Sequence, residues 1–392
     1  MKWPAERIAN SSPKSFGMYE KTGQLIARGA DLIHLEVGRP SFDTPVHIKE
    51  ATKRALDDGK VHYGEFPGEL KFREALADKL HRDNGIAATP EQIVVTGGLT
   101  HSAFAVCMAA VDPGDEVILL EPYYPQHINK VELAGGRIVT APLDVDNHFS
   151  IDAEIIERYI TPKTRMLALV NPANPTGRVY SREELQGLAG LAIKHDLLVM
   201  SDEVYEQIVF DDKQHISIAS LPGMAERTVS MFAFTKGYAM DGWRLGYMAA
   251  PAAFISALLK ITMNDMSHVN VFIQDGGYAA ITATQDCVAQ MVAEDQRRRD
   301  LLVERLNAMP GVRCALPEGS IYAFPNIQAT GLSSQQVAEA ILEQTHVVVE
   351  AGSFYGDSGE GYLRVCFGSV SYERIEEAMN RLEAFFVDLQ HT

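Results

Sequence analysis

A lysine amine becomes a useful nucleophile toward carbonyls where protein crowds out water and weakens its hold on a proton. Lys236 stands in such a setting. It follows the apolar run Val229–Phe234 and precedes Gly237, and Met240-Asp241-Gly242-Trp243-Arg244-Leu245-Gly246-Tyr247 comes next. Glycines allow close backbone approach, and an arginine among them points to an anion beside the lysine. An isolated lysine at a strand end is ordinarily a solvated one, so the reading depends on what else the sequence supplies.

It supplies several other candidates. Ser201-Asp202-Glu203-Val204-Tyr205 closes the apolar run Leu197–Met200. A carboxylate at such a strand end needs a donor partner, and Glu203 competes with Asp202 for such a role. Asn171-Pro172-Ala173-Asn174-Pro175-Thr176-Gly177 follows Met166–Val170 and reads as a tight turn, with a cis proline as one option. Gly97-Gly98-Leu99-Thr100 joins a strand to a helix. A Gly-Gly pair is more often a plain turn, but the free N–H groups of a helix N-terminus favour phosphate. Tyr123 and Tyr124, between Pro122 and Pro125, suit a core or an interface as well as a ligand face. Arg364 lies inside the apolar segment Tyr362–Val365, a costly place unless the guanidinium is paired.

The elements that would position these residues alternate. Strands are expected at Gln92–Thr96, Glu116–Leu120, Arg137–Ala141, Met166–Val170, Leu197–Met200 and Val229–Phe232, with helical segments such as His101–Val111 and Ser181–His195 between most of them. That order predicts an α/β domain, a mostly parallel sheet covered on both faces. Residues 252–308 read as helical with a break around Thr262–Val271. Beyond them, strands at Val312–Ala315, Ile321–Phe324, 346–350 and 361–367, with helices at 333–344 and 371–389, predict a smaller α+β domain. The expected division is 1–45 as a segment packing on the small domain, 46–290 as the large domain and 291–392 as the small one, the two sharing a cleft.

Composition narrows the function classes. A net charge of −17 with no basic stripe argues against a nucleic-acid partner. The four cysteines are scattered without a C-x-x-C pair, so reduced thiols are expected, with neither disulfides nor a metal site. Met1 to Ser15 lacks the apolar stretch of a signal peptide and no apolar run suits a bilayer, which leads us to expect a soluble, cytoplasmic protein without a membrane partner.

The string FTKGYAMDGWRLGY resembles the cofactor-lysine motif of the class I/II aminotransferases, the fold-type I pyridoxal 5′-phosphate (PLP) enzymes. Their usual form reads S-F-S-K, a short apolar spacer, then G-W-R-x-G-Y. The resemblance implies PLP held by Lys236 as a Schiff base. It implies further that Asp202 keeps the ring nitrogen protonated, and that Asn174, in the family's N-P-x-N-P-T-G loop, and Tyr205 bond the ring O3′. Gly98, Leu99, Thr100 and Arg244 would take the phosphate, and Tyr124 would face the ring with His127 behind it. Arg364 would bind the substrate carboxylate near Gly38, with Asn174 alongside. Ala233 stands where relatives carry a phosphate-binding serine, so Thr235 or water would replace that hydroxyl. Arg39 stands where many relatives have an acidic residue and receives no role. Tyr63 resembles a tyrosine that reaches the neighbouring subunit's phosphate, which implies a homodimer with shared sites.

The activity so implied is transfer of an amino group from an L-amino acid to a 2-oxo acid, through the Lys236 aldimine and pyridoxamine phosphate. Lys236, once displaced, would carry the Cα proton. A β-lyase and an amino-acid oxidase or deaminase are the alternatives on the same scaffold, and a PLP-fold regulator is not expected, since no room for a DNA-binding module is read before the catalytic domain. Asn264–His268 holds no Arg or Lys, which disfavours dicarboxylic donors; Phe16 and Tyr19 are candidates for the side-chain pocket.

Overall fold

In the computed structural model, which describes residues 3–13 and 17–390, the short apolar runs become strands. Phe16 lies outside the described residues. After β1 (Ile33–His34) come β2 (Ile93–Thr96), β3 (Glu116–Glu121), β4 (Arg137–Pro142), β5 (Thr164–Val170), β6 (Leu198–Asp202), β7 (Thr228–Ala233) and β8 (Gly246–Ala249). The last seven form one sheet in the order β2-β8-β7-β6-β5-β3-β4. Only β8 runs against its neighbours, pairing antiparallel with both β2 and β7.

Burial explains the unbroken apolar runs. Every residue of β2, β3 and β8 is buried, as both faces of the sheet are covered. On one face the helix Leu99–Ala110 packs Ala103, Val106 and Cys107 against Val117, Met200 and Met231. On the other, the helix Arg182–Lys194 packs Leu185, Leu188 and Ala192 against Leu167 and Val199. Ser181 starts that second helix with a capping box, its hydroxyl accepting from Glu184 N–H.

The remaining strands are β9 (Tyr322–Ala323), β10 (Val347–Val348), β11 (Glu350–Ala351) and β12 (Leu363–Cys366). They form an antiparallel trio, β11-β12-β9, while β10 pairs in parallel with β1 from the other end of the chain. The helices Asp286–Ala308, Ser334–Thr345 and Tyr372–Leu389 close a shared core through Leu302, Leu306, Ile341, Met379 and Phe386, and Ile33 and Leu35 join it. Full burial of a side chain such as Phe386 contributes about 2–3 kcal/mol.

Several expected elements come out differently. Val312–Ala315 forms no strand and offers a single bridge, Arg313 to Asn326. The stretch 346–350 is interrupted at Val349, because β10 and β11 pair with different partners. The helical region breaks twice, between Ala252–Asp265, Val271–Thr282 and Asp286–Ala308, and the last helix runs unbroken through position 290. Strand β8 was hidden in the motif after Lys236, where glycine, tyrosine and methionine give no clean period. Among the described residues no helix is long and apolar enough to cross a membrane.

Candidate active site

Because β2, β3, β5, β6 and β7 run in parallel, their carboxyl ends lie along one edge of the sheet, where ligands bind in open α/β folds. The reversal of β8 brings its leading end, and with it Arg244, to that same edge. A cavity of about 790 Å³ opens there. Leu99, Thr100, Tyr124, Asn174, Asp202 and Tyr205 line it from the loops and strand ends, and Thr235, Lys236 and Arg244 flank them. Gly38 and Arg364 reach it from β1's exit and from β12, with Tyr322 and Glu350 beside them.

Lys236 keeps part of its surface open to the cavity, but protein encloses its amine, which donates to the Gly38 carbonyl. Burial pushes its pKa down to about 8, helped by Arg364 and opposed by Cys366, Asp241 and Asp202. Near neutrality this amine therefore gives up its proton far more readily than a solvated lysine does.

Asp202 is buried at the end of β6, and its Oδ1 accepts from Val204 N–H at 3.3 Å. His127 Nε2 stands 3.4 Å from Asp202 Oδ2, and among the described residues neither ring nitrogen of this buried histidine has a hydrogen-bond partner within ordinary geometry. Burial lowers the His127 pKa against the pull of Asp202, so the ring is held neutral. Tyr124 crosses it edge-on, with centroids 5.2 Å apart. Glu203, the competing carboxylate, points to the other side of the strand toward His215 and Ser217. Alternation along a strand separates the two acids.

Asn174 sits in a loop with two cis prolines, Pro172 and Pro175. Its Oδ1 accepts from Arg364 Nη1 at 3.1 Å, and Arg364 Nη2 donates to the Glu36 carbonyl. The guanidinium lies 4.4 Å over the Tyr322 ring and 4.9 Å from that of Tyr355, and its buried Nε has no partner among the described residues. Tyr205 and Tyr322 hydroxyls are 2.9 Å apart, and burial raises both phenols, Tyr322 to about 12.

Gly98 precedes the helix Leu99–Ala110 with φ +87°, a left-handed value that favours glycine. A Cβ there would come within 2.7 Å of Arg244 Nη2. Arg244 Nη1 donates to the Asp241 carbonyl at 2.9 Å and Nη2 to the Gly97 carbonyl at 3.5 Å, which sets the guanidinium beside the turn that starts this helix. Ala233 does not line the cavity and Thr235 does. Tyr19 also lines it, whereas Tyr63 does not: it is 94% exposed, with its ring edge-on to His268 at 5.6 Å.

The model of the family "Aminotransferase class I and II" matches residues 30–382. The chain belongs to this aminotransferase family. It is 42% identical to aromatic-amino-acid aminotransferase 2 of Thermococcus litoralis over 91% of this chain and 92% of the relative. It is likewise 42% identical to an aspartate aminotransferase of Pyrococcus abyssi, over 90% and 91% of the two. The crystal structure of an aromatic aminotransferase from Pyrococcus horikoshii superposes with a TM-score of 0.90 at 40% identity, covering 94% and 99%. The protein is thus an aminotransferase enzyme, a transferase of amino-acid metabolism, and its family implies PLP.

Sequence reading missed four residues of this aminotransferase site: Tyr322, Tyr355, Glu36 and Glu350. Tyr322 begins β9 beneath Arg364, and a Cβ on Gly38 would strike its hydroxyl. Their signal was weak, because each owes its place to contacts between distant segments.

Proposed function

We propose that this aminotransferase binds PLP in the 790 Å³ cavity and uses Lys236 as both its anchor and its proton carrier. The observation that carries the reading is the convergence of Lys236, Asp202, Asn174, Tyr205 and Arg364 on that cavity from separate segments. The donor set fits the cofactor. Asp202 is a buried carboxylate facing the cavity with no cation hydrogen-bonded to it, as a pyridinium N–H requires. The N–H groups behind Gly98, with Arg244 and the Thr100 and Thr235 hydroxyls, suit a phosphate.

Bound there, PLP supplies a carbonyl for the amino group and a ring that draws off the electron pair left at Cα. Asp202 would hold a proton on the ring nitrogen, with the His127 ring behind it. Asn174 Nδ2 and the Tyr205 hydroxyl would hold the ring oxygen, and Tyr124 would pack against the ring. Arg364 takes the α-carboxylate of an L-amino acid through its planar fork, close to Gly38. With the carboxylate fixed, the Cα–H bond is aimed at Lys236, whose lowered pKa suits it to take that proton and return it. The 2-oxo acid half-reaction uses the same groups in reverse.

We read the chain as two domains meeting at this cavity, with the N-terminal segment on the smaller one, a reading supported by the β1–β10 pairing. The full exposure of Tyr63, away from its own cavity, supports a homodimer in which it serves the partner's site. The decisive experiment is Lys236→Ala. The variant should bind PLP without the visible band of a lysine-bound cofactor and should lose nearly all half-reaction with an amino acid; retained turnover refutes the assignment.

A further inference from the structure

The carboxylate rejected by the cavity has its own buried setting. Glu203 is 1% exposed, and its Oε2 accepts from the Ser217 hydroxyl and from His215 Nε2 at 2.8 Å. The side-chain amide of Asn171 follows. Its Oδ1 accepts from Tyr180 N–H at 3.2 Å, and its Nδ2 donates to the Ile216 carbonyl at 3.2 Å, which fixes the amide's orientation. Nδ2 also faces His215 Nδ1 at 3.5 Å. An amide nitrogen only donates, so His215 Nδ1 accepts and Nε2 carries the proton toward Glu203.

Asn171 is the first residue of the loop that carries Asn174. Its amide ties the loop's start to its exit at Tyr180, and its backbone N–H donates to the Asp202 carbonyl at 3.0 Å. Within the loop, Ala173 N–H donates to the Arg178 carbonyl at 2.8 Å. Asn174 Oδ1 at the tip then accepts from Arg364. An apolar cluster in place of Glu203, His215 and Ser217 would fold at no loss of stability, since a buried carboxylate must recover its desolvation cost from its partners. What an apolar cluster could not do is supply the His215 Nδ1 acceptor, the third contact of the Asn171 amide.

We propose that Glu203 and His215 are positioning residues: beside the Tyr180 and Ile216 backbone they complete the hold on the Asn171 amide, which steadies the Asn174 loop and through it the guanidinium that takes the substrate carboxylate. The proposal rests on the assignment of Arg364 given above and extends it to groups outside the cavity. Its substrate class is any ligand bearing an α-carboxylate, whatever the side chain.

The test separates carboxylate binding from cofactor binding and from folding. PLP-loaded wild type, Glu203→Gln, His215→Phe and His215→Gln are titrated with two unreactive acids, 3-phenylpropionate and succinate, followed by the cofactor absorbance. PLP affinity of the stripped chains and their thermal midpoints are measured alongside. His215→Phe should weaken both acids by up to about tenfold, the most that one hydrogen bond lost at the Asn171 amide can pass on, while PLP affinity falls by no more than about twofold. His215→Gln, which can still accept and donate, should recover most of the acid affinity, and Glu203→Gln should fall between. Unchanged acid affinity overturns the proposal whatever the midpoint does, and a lowered midpoint with it marks the cluster as purely structural. A fall in PLP affinity as large as the fall in acid affinity overturns it too, assigning the network to the cofactor. Failure of Arg364→Ala to weaken the acids would instead sink the assignment on which it rests.

Discussion

Glu350→Gln should make the protein more stable at pH 8 and leave it nearly unchanged at pH 4.5. Glu350 lies in β11 directly across from Arg364 in β12. Its carboxyl accepts from Met18 N–H at 3.1 and 3.2 Å and from Ala351 N–H at 3.2 Å. Burial raises its pKa to about 7 from the ordinary 4.5, with Glu36 adding to the rise, while Arg364 and the two backbone donors oppose it. The folded state thus binds the proton more tightly than the unfolded chain. That contribution is complete below pH 4.5 and is lost as the pH climbs through 7. A gap of this size corresponds to about 3 kcal/mol. Glutamine keeps an acceptor oxygen for the backbone donors and has no charge to bury. The difference in unfolding free energy, variant minus wild type, should therefore grow by about 3 kcal/mol between pH 4.5 and pH 8. Urea unfolding at matched protein and PLP concentrations measures it, since ligand and assembly both shift apparent stability. A difference that stays constant with pH, or shrinks toward alkaline pH, refutes the reasoning.

Two further outcomes are expected. Gly98→Ala places a methyl 2.7 Å from Arg244 Nη2 on a left-handed backbone, so PLP should bind the stripped chain at least about tenfold more weakly, as fluorescence titration would detect. Burial pushes the thiols of Cys107 and Cys314 up to about 12 and raises that of buried Cys366, while Cys287 is only half-buried. A disulfide reagent should accordingly label one thiol quickly in the native protein and all four in denaturant; rapid labelling of a second would contradict the burial.

The parts of the site that lie within short stretches of sequence were the readable parts. Lys236 with Arg244, Asn174 in its turn, and Asp202 with Tyr205 each announce themselves by neighbours a few residues away, and the structure gathers them at one cavity. The choice between Asp202 and Glu203 was open from residue type alone; strand alternation, a property of the folded sheet, sends one to the cavity and the other to His215. Tyr322, Glu36 and Glu350 could not be picked out, since each becomes important only when β1, β9, β11 and β12 meet. The direction of β8 was equally hidden, because pairing partners decide it and local pattern does not.

That reversed strand has a consequence for how the site comes into being. Lys236 and Arg244 both belong to the connection between β7 and β8, which are adjacent antiparallel strands. Closing this connection needs only a short excursion of chain, a small entropic hurdle. Gly38 and Arg364 must instead travel from opposite ends of the polypeptide, and the β1–β10 pairing joins those ends. Contacts of such long sequence separation form late in folding. The aminotransferase is therefore expected to assemble its lysine corner early and its arginine corner last, and a chain clipped near either terminus would keep the first while losing the second.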